Sequence, residues 1–387
     1  MECYLDNAAT TQPFVEVCDL VTEIMQKDYG NPSSLHQKGL EAERYVRQAA
    51  ERIAKTLKCS PKNIIFTSGG TEANNTALLG SAAANQRRGK HLVTTCFEHA
   101  SVHEPLIYLE QMGYEVSYLP VDSQGHLLPD TLRKALREDT VCVSVMLVNN
   151  EIGSVLDVQS LAEIVHEYSE DILFHVDAIQ AYGKMKINPK KLGIDLMSVS
   201  GHKIYGPKGT GFLYKKDNGK VHALLHGGGQ QSGMRSGTEN VPGIAGLGLA
   251  AEKVDAALSE SREHLYMLKE YFVERIKEVP GAALNACLPP DILDTAPHIA
   301  SVSFDGVRSE VLLHALEEKG IYVSSGSACS SNHPGISTTL QAIHVPKERL
   351  DSTLRFSFSA FTEKEELAYT IEKLKELVPV LARYTRK

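Results

Sequence analysis

Hydrophobic and polar positions follow two alternating patterns over about residues 40–215. Long segments with apolar residues at helical spacing, including 41–57 and 72–85, are separated by short apolar runs, including 64–66 and 141–145. Short runs that are apolar at successive positions are typical of strands buried on both faces. This part of the chain therefore predicts an α/β fold in which helices cover both faces of a mostly parallel sheet.

The pattern changes in the last third of the chain. A long helical segment at 242–279 ends at a Pro-Gly pair, and the remainder alternates shorter strands and helices. We expect strands at 298–304, 321–323 and 353–358, and helices at 309–319 and 363–381. Because 387 residues exceed the size of a single core, we assign a large domain to 14–255 and a small α+β domain to 1–13 and 256–387.

Composition and charge narrow the class of protein. The net charge of -8 offers no basic surface to nucleic acid or anionic membranes, and the apolar stretches are too short to span a bilayer. The seven cysteines are scattered without a Cys-x-x-Cys spacing, which speaks against a disulfide framework and a zinc knuckle. Because the chain also begins without a basic and apolar leader, we expect a cytoplasmic protein that binds neither nucleic acid nor a membrane.

Two charged residues follow consecutive predicted strands. Asp177 closes the run at 173–176, and Lys203 follows the run at 194–197 in a Ser-Gly-His-Lys motif at 200–203. Parallel strands end at one edge of a sheet, where ligands of such folds bind. This pair is what pyridoxal phosphate needs, since an amine forms a Schiff base with its aldehyde and a carboxylate keeps its pyridine nitrogen protonated. A solvated surface lysine is the alternative interpretation.

Further polar residues are expected at the same edge of the sheet. The glycine turn at 69–70 joins a strand to a helix and suits a phosphate, although a tight connection without a ligand is the alternative. His99 follows the strand at 91–95, where an imidazole can stack on a cofactor ring and move protons. Asn150 supplies an amide, and Gln180 lies one helical step beyond the aspartate.

The small domain contributes Cys329 and Arg355 as candidates. Cys329 lies among the small residues 324–332, which have no apolar face to bury a thiol and leave it mobile and free to ionise. Alternation along the strand 353–358 places Arg355 on the face opposite Phe356, where a guanidinium suits a substrate carboxylate. A structural salt bridge and an incidental loop cysteine are the alternatives for these two residues.

Two other kinds of motif do not predict a site. The glycine pattern at 246–251 matches a dinucleotide-binding motif, but it lies inside a helical, alanine-rich segment rather than after a strand. No His-Glu-x-x-His motif or Cys/His metal spacing occurs in the sequence, so we expect no metal site.

Taken in order, the motifs resemble those of the cysteine desulfurases, in particular the NifS/IscS-like group with a long active-site loop. The similarity runs from about residue 4 to residue 377 and includes the motifs at 5–11, 68–72, 149–153, 175–178, 200–203, 234–238 and 324–329. The resemblance implies the PLP-dependent transferase fold of the class V aminotransferases, similar to aspartate aminotransferase. It also implies a homodimer in which each active site borrows a loop from its partner.

The resemblance implies a role for each candidate residue. Lys203 would bind pyridoxal 5'-phosphate, Asp177 would pair with the ring nitrogen, and His99 would stack on the ring and transfer protons. Arg355 would bind the carboxylate of L-cysteine. Cys329 would take the substrate sulfur as a persulfide and leave L-alanine. The remaining contacts with the cofactor would come from Gly70, Thr71, Asn150, Gln180, Ser200 and His202. Asn150 would also contact the substrate, and Thr238 would reach the phosphate across the dimer.

The implied partner is a sulfur-acceptor protein, to which the loop around Cys329 delivers sulfur. Relatives of this group carry a tail beyond the last helix that helps to dock an iron-sulfur scaffold, whereas this chain ends soon after residue 381. A sulfurtransferase for tRNA or cofactor thiolation is therefore an equal expectation. The rival functions are a selenocysteine lyase of the same fold, which would not need Cys329, and a catalytically silent relative that only binds partners.

Overall fold

The computed structural model describes residues 1–286, 294–325 and 337–385 of the chain. In these residues the strands are β1 (Cys3–Tyr4), β2 (Ile64–Thr67), β3 (His91–Thr95), β4 (Glu115–Leu119), β5 (Thr140–Met146), β6 (Leu173–Asp177), β7 (Leu196–Ser200), β8 (Gly211–Lys215), β9 (Ala282–Asn285), β10 (Ile299–Phe304), β11 (Ile321–Tyr322), β12 (Ser324–Ser325) and β13 (Thr353–Ser357). The helices are α1 (Val15–Lys27), α2 (Gln37–Leu57), α3 (Gly70–Asn85), α4 (Ala100–Gln111), α5 (Pro129–Ala135), α6 (Val158–Tyr168), α7 (Val241–Ala256), α8 (Leu258–Ile276), α9 (Ser309–Glu317), α10 (Thr338–Ala342), α11 (Lys347–Leu350) and α12 (Lys364–Thr385).

The largest sheet of the described residues has the strand order β2-β8-β7-β6-β5-β3-β4. Neighbouring strands in it are parallel except where β8 pairs with β2 and β7, so the predicted mostly parallel sheet is confirmed. Every residue of β5 and β7 is buried, which explains why these strands have no wet face. In the pairing of β6 with β7, Asp177 lies opposite Ser198. The aspartate and the turn that follows β7 therefore lie at one edge of the sheet.

Helices cover both faces of this sheet with apolar side chains. On one face, Ala77 of α3 and Leu106 of α4 pack in a cluster with Leu196 of β7. On the other face, Ile53 of α2 belongs to a larger cluster that includes Val199 of the same strand. Alternate residues of β7 thus point into different cores, as the two-sided burial predicted from the sequence requires.

A second sheet, with antiparallel strands in the order β12-β13-β10-β9, lies in the later part of the chain. Its core is aromatic, since Phe272 of α8 packs on Phe356 of β13 with ring centroids 4.8 Å apart, and Phe304 of β10 joins the cluster. Leu5 belongs to the same core, and β1 pairs in parallel with β11. The expected smaller α+β unit is therefore present. The domain boundaries themselves stay a prediction.

The N-terminal segment contacts both sheets. The Asn7 side-chain amide donates to the Ser357 carbonyl at 3.0 Å, and the Ala8 N–H donates to the Ser357 hydroxyl at 2.8 Å. Further along the segment, the backbone N–H and the hydroxyl of Thr11 both donate to the His202 carbonyl, at 2.9 and 3.0 Å. Residues 7–11 therefore run from the end of β13 to the turn that follows β7.

The helical segment predicted at 242–279 is two helices rather than one. Ala257 leaves the helical conformation, with φ -94° and ψ 5°, and separates α7 from α8. The physical reason is tertiary, because α7 packs on α1 and α2 whereas α8 packs on α12 and β10 of the smaller unit. Among the described residues, no helix combines the length and apolar character that crossing a membrane requires.

Candidate active site

A cavity of about 630 Å³ lies at the carboxyl ends of the strands of the large sheet. It is also reached by the N-terminal segment, through Ala8, and by β13 of the smaller sheet. The predicted site residues that line it are Gly70, Thr71, His99, Asn150, Asp177, Gln180, Ser200, His202, Lys203 and Arg355. Residues from both sheets therefore meet in one cavity.

Two predicted site residues are not among those that line this cavity. Thr238 is exposed on the surface of its own chain. Cys329 belongs to residues 326–336, which lie outside the described residues, and so does most of the loop expected to deliver its sulfur.

Lys203 lies at the end of the short 3-10 turn Gly201–Lys203, directly after β7. Gly201 is required in this turn, because a Cβ there would lie 2.4 Å from the hydroxyl oxygen of Thr210. The Lys203 amine donates hydrogen bonds to the carbonyl oxygens of Ala8 and Ala9, at 2.5 and 2.6 Å. The N-terminal segment thereby holds the amine at the cavity wall.

Asp177 is joined to His99 through two buried polar residues that the sequence analysis missed. The Asn74 amide donates to Asp177 Oδ2 and to Ser101 Oγ, both at 2.8 Å. The Ser101 hydroxyl lies 2.8 Å from His99 Nδ1, and the backbone N–H of Ser101 donates to the same nitrogen at 3.1 Å. The one available signal for Asn74 was an amide within an alanine-rich helix, on the face that the helix buries.

This network assigns the tautomer of His99. Because the Ser101 hydroxyl oxygen accepts a hydrogen bond from the Asn74 amide, its own proton points to His99 Nδ1, which accepts a second hydrogen bond from the Ser101 N–H. The ring proton therefore belongs on Nε2. Burial lowers the pKa of His99, the charges of Lys203 and Arg355 lower it further, and Asp177 opposes them. The lowered pKa favours the neutral imidazole.

The carboxylate of Asp177 is buried, with 4% of its surface exposed. Its Oδ1 accepts the backbone N–H of Ile179 at 3.0 Å, and its Oδ2 accepts the Asn74 amide. Burial raises the pKa of Asp177, and these two N–H donors only partly oppose that effect. A carboxylate in such surroundings is stabilised by a cationic N–H partner, which is what a protonated pyridine ring provides.

The part of the cavity at the start of α3 suits a phosphate. The N-cap of α3 is Gly69, whose φ of 153° favours glycine, and a Cβ at Gly70 would lie 2.2 Å from Ile179 Cδ1 and displace that side chain. The first N–H groups of a helix of this length are free to bind an anion. Ser200 and His202 line the same region, and burial together with neighbouring lysines lowers the pKa of His202 to about 4. The residues present therefore fit pyridoxal 5'-phosphate at both ends.

Arg355 is buried on β13 and bridges two segments of the cavity wall. Its guanidinium donates to the Asn150 carbonyl at 3.0 Å and to the Asp6 carboxylate at 2.7 Å. The alternative of a structural salt bridge is thus real for this residue. Its Nε is also buried and, among the described residues, makes no hydrogen bond. The guanidinium lines the cavity and is fixed there by its contacts with Asn150 and Asp6.

Gln180 contributes its amide to the wall rather than pointing to solvent. Its Nε2 donates to the Ala8 carbonyl at 2.9 Å, which is the oxygen that Lys203 also contacts. Its Oε1 lies 3.2 Å from Nε2 of the buried His298. Main-chain oxygens such as that of Ala8 carry no sequence signal, which is why the sequence analysis did not find them.

Comparisons with known proteins agree with this geometry. The family model for Aminotransferase class-V matches residues 3–369. The cysteine desulfurase IscS of Dictyoglomus turgidum is 43% identical over 381 residues, which cover 98% of this chain and 95% of that protein. A solved NifS-like protein has a TM-score of 0.92 at 36% identity and covers 98% of this chain and 100% of its own. The structure of SspA in complex with cysteine has a TM-score of 0.82 at 31% identity, covering 93% and 100%.

The fold and the cavity together define a PLP-dependent transferase, because a buried aspartate ends one strand and a lysine follows the neighbouring strand, in a cavity that also includes the N-terminus of a helix. The chain belongs to the class-V aminotransferase family, among the cysteine desulfurases of the NifS/IscS-like group. Pyridoxal 5'-phosphate is the cofactor of this family, and the residues described above fit it.

Proposed function

We propose that this chain is a cysteine desulfurase that converts L-cysteine to L-alanine and retains the sulfur as a persulfide on Cys329. The observation that carries the proposal is the common cavity of Lys203, Asp177 and Arg355. This cavity combines an amine for the cofactor aldehyde, a buried carboxylate for the ring nitrogen and a cation for the carboxylate of an amino acid.

The cofactor would be held at three points. Lys203 would bind its aldehyde carbon, Asp177 would pair with its ring nitrogen, and the N–H groups at the start of α3 would bind its phosphate together with Thr71, Ser200 and His202. When bound, pyridoxal phosphate supplies an electron sink for negative charge that develops at the α-carbon of an amino acid. Asp177 keeps the ring nitrogen protonated, and its burial strengthens that pairing because water does not screen it.

Substrate binding and proton transfer fall to Arg355, Lys203 and His99. Arg355 binds the substrate carboxylate, and its contacts with Asp6 and the Asn150 carbonyl hold it in place before substrate arrives. Lys203 takes and returns the proton at the α-carbon of the amino acid. His99 stays neutral in the cavity and presents its Nε2 proton, because its Nδ1 is occupied by Ser101.

The sulfur step balances between the two thiols. The thiolate of Cys329 attacks the substrate sulfur, so that an S–S bond forms and the C–S bond breaks with its electron pair left on the β-carbon. That carbon takes a proton and becomes the methyl group of L-alanine. Carbon is reduced while sulfur is oxidised to the level of a persulfide, so the step needs no external oxidant. The persulfide then passes its sulfur to an acceptor thiol.

A homodimer is part of this proposal. Large apolar side chains are exposed in the last turns of α1 and in the segment before α2, with 64% of Met25, 73% of Tyr29 and 96% of Leu35 accessible. Exposed apolar side chains in one stretch of the chain support an interface there. The exposed Thr238 would then contribute to the phosphate site of the second copy. Sedimentation should give a dimer for the natural chain and a monomer for Leu35→Asp, and a monomeric natural chain with a complete active site would contradict this assembly.

The sulfur acceptor is proposed to be a cytoplasmic protein with a reactive thiol, either an iron-sulfur scaffold or a sulfurtransferase. The exposed free thiol of Cys18 suits a reducing compartment. We also propose the division into 14–255 on one side and 1–13 with 256–387 on the other, because the second unit contains an apolar core made only of its own residues.

The test is product analysis with the cofactor-loaded protein. With L-cysteine and a small thiol reductant we expect equal amounts of L-alanine and sulfide, and transfer of labelled sulfur to a candidate acceptor in place of the reductant. Borohydride reduction should attach the cofactor to Lys203, and Lys203→Ala should lose this link while Lys208→Ala, at the cavity mouth, keeps it. Attachment to another lysine, or ammonia and pyruvate as products, would overturn the proposal.

A further inference from the structure

Lys184 is a buried lysine directly behind Lys203. It lies on the turn after β6 and is 6% exposed. Its amine donates a hydrogen bond to the carbonyl oxygen of Lys203 at 2.7 Å. Within the described ranges, this amine forms no ion pair with a carboxylate. A lysine that is buried without a carboxylate is costly, so its retention calls for a role beyond packing.

The turn that carries Lys184 is locked against its surroundings. Gly183 has φ 77°, and a Cβ there would lie 3.0 Å from side-chain carbons of both Ile204 and Val254. The hydroxyl of Tyr182 lies 2.6 Å from that of Thr56. The two residues before Lys184 are therefore packed in place, and its amine is buried at the Lys203 carbonyl.

The carbonyls of the turn Gly201–Lys203 each have a partner. The Gly201 carbonyl accepts the N–H groups of Ile204 and Gly206, both at 3.0 Å. The His202 carbonyl accepts from Thr11, and the Lys203 carbonyl accepts from Lys184. Among the donors to these three carbonyls, Lys184 therefore supplies the one side-chain amine. Its hydrogen bond ties the turn to the segment that follows β6, the strand that ends at Asp177.

The amine of Lys184 also acts electrostatically on the cavity. Burial lowers its pKa to about 7, and the charge of Lys203 contributes to the shift. Its own charge in turn lowers the pKa of His202 and of the buried His298. Asp255 of α7 contributes to raising the pKa of Tyr182 but does not contribute to the pKa shift of Lys184. Lys184 thus gains and loses a positive charge near neutral pH, next to other cations and without a carboxylate to compensate.

Resting on the proposed function, in which Lys203 binds the cofactor, we propose that Lys184 is a positioning residue for Lys203. Its hydrogen bond fixes the main chain of the turn that carries the amine, and its charge disfavours a further proton on the Lys203 side of the cavity. Removing that charge should make the cofactor-linked Lys203 nitrogen easier to protonate, since like charges repel. The titration of this Lys203 nitrogen then moves to higher pH.

The test is a pH titration of the visible absorption of the cofactor-loaded protein without substrate. Lys184→Met removes donor and charge, Lys184→Gln keeps a donor without charge, and Lys184→Arg keeps both. We expect the midpoints of the Met and Gln variants to rise by at least about half a pH unit, and that of the Arg variant to fall below the natural chain. The matched control is Lys186→Met, two residues away and exposed, which should titrate like the natural chain.

Cofactor release on dialysis measures the positioning part separately. Lys184→Met should lose cofactor several-fold faster than the natural chain, and Lys184→Gln should be close to the natural chain because it still donates to the Lys203 carbonyl. Midpoints of Met and Gln variants that coincide with the natural chain would overturn the inference, as would equal cofactor loss from both. Failure of the natural chain to bind cofactor through Lys203 would instead overturn the proposed function. If Lys184→Met does not fold, the titration midpoints of the Gln and Arg variants test the inference.

Discussion

The side-chain amide of Asn74 donates to the Asp177 carboxylate and to the Ser101 hydroxyl, each at 2.8 Å. A single residue of α3 therefore orients the carboxylate at the end of β6 and, through Ser101, the imidazole of His99. Asn74 is fully buried, so bulk solvent does not replace its hydrogen bonds when the amide is removed. In the proposed function, the residue that pairs with the cofactor ring nitrogen and the residue that stacks on the ring are thus held by the same side chain.

Asn74→Ala should weaken cofactor binding because Asp177 and Ser101 both lose a buried donor. We expect the dissociation constant for pyridoxal phosphate to rise about 10- to 100-fold, which corresponds to about 1.4 to 3 kcal/mol. Equilibrium dialysis of the loaded protein measures it. Asn75→Ala is the matched control, since its amide donates to the Thr71 carbonyl of its own helix and to no other group among the described residues. Equal effects of the two substitutions would contradict this role of Asn74.

Arg355→Lys should impair substrate binding more than turnover. A lysine cannot donate in parallel to a carboxylate while also holding the Asn150 carbonyl and Asp6, so the KM for L-cysteine should rise about 10-fold or more with a smaller change in kcat. Steady-state alanine formation measures both constants. Arg349→Lys, in an exposed pair with Asp305, should leave them unchanged. A KM unaffected by Arg355→Lys would assign this arginine a structural role only.

Cys329→Ser should separate cofactor binding from sulfur removal. A hydroxyl does not accept a sulfur atom, so the variant should keep its cofactor absorption and lose alanine and sulfide formation. Cys18→Ser is the control, since this exposed thiol lies on α1 and should be dispensable for turnover. Full turnover on L-cysteine by Cys329→Ser would favour a lyase that expels sulfur directly.

Glu98 should make the stability of the protein depend on pH. Its Oε1 accepts from Thr95 and from the Met146 N–H, while its buried Oε2 has no hydrogen-bond partner among the described residues. Burial, with a contribution from Asp177, raises the pKa of Glu98 to about 8. Because the folded pKa lies above the unfolded one, the folded state holds a proton that the unfolded state releases. Stability is therefore full below the unfolded pKa and falls as pH rises toward 8.

Glu98→Gln removes this dependence because an amide does not ionise. The free energy of unfolding of the variant, relative to the natural chain, should increase with pH by up to about 1.4 kcal/mol per pH unit between about pH 5 and about pH 8. Urea unfolding at several pH values measures it. Glu104→Gln, on the exposed side of α4, should show no such trend. A constant difference between Glu98→Gln and the natural chain would show that the carboxyl is ionised when folded.

The fold class, and the meeting of Asp177 and Lys203 in one cavity, could be predicted from the sequence for a local reason. Asp177 ends β6 and Lys203 lies in the turn after β7, and a parallel sheet brings strand ends together whatever the details of packing. Asn74 and Lys184 could not be found this way, because their roles depend on which helix or turn packs against which strand. The break at Ala257 was equally invisible, since the residues around it favour helix and only the packing of α7 and α8 on different units separates them.

The contacts of Asn7 with Ser357 and of the Ala8 carbonyl with Lys203 join residues near one end of the chain to residues near the other. During synthesis the N-terminal segment therefore leaves the ribosome long before the strand that positions it. The amine of Lys203 obtains its final environment only after β13 has emerged and paired. A nascent chain that stops short of that strand is a folding intermediate without a competent cofactor site, which makes cofactor capture a late event in the maturation of this enzyme.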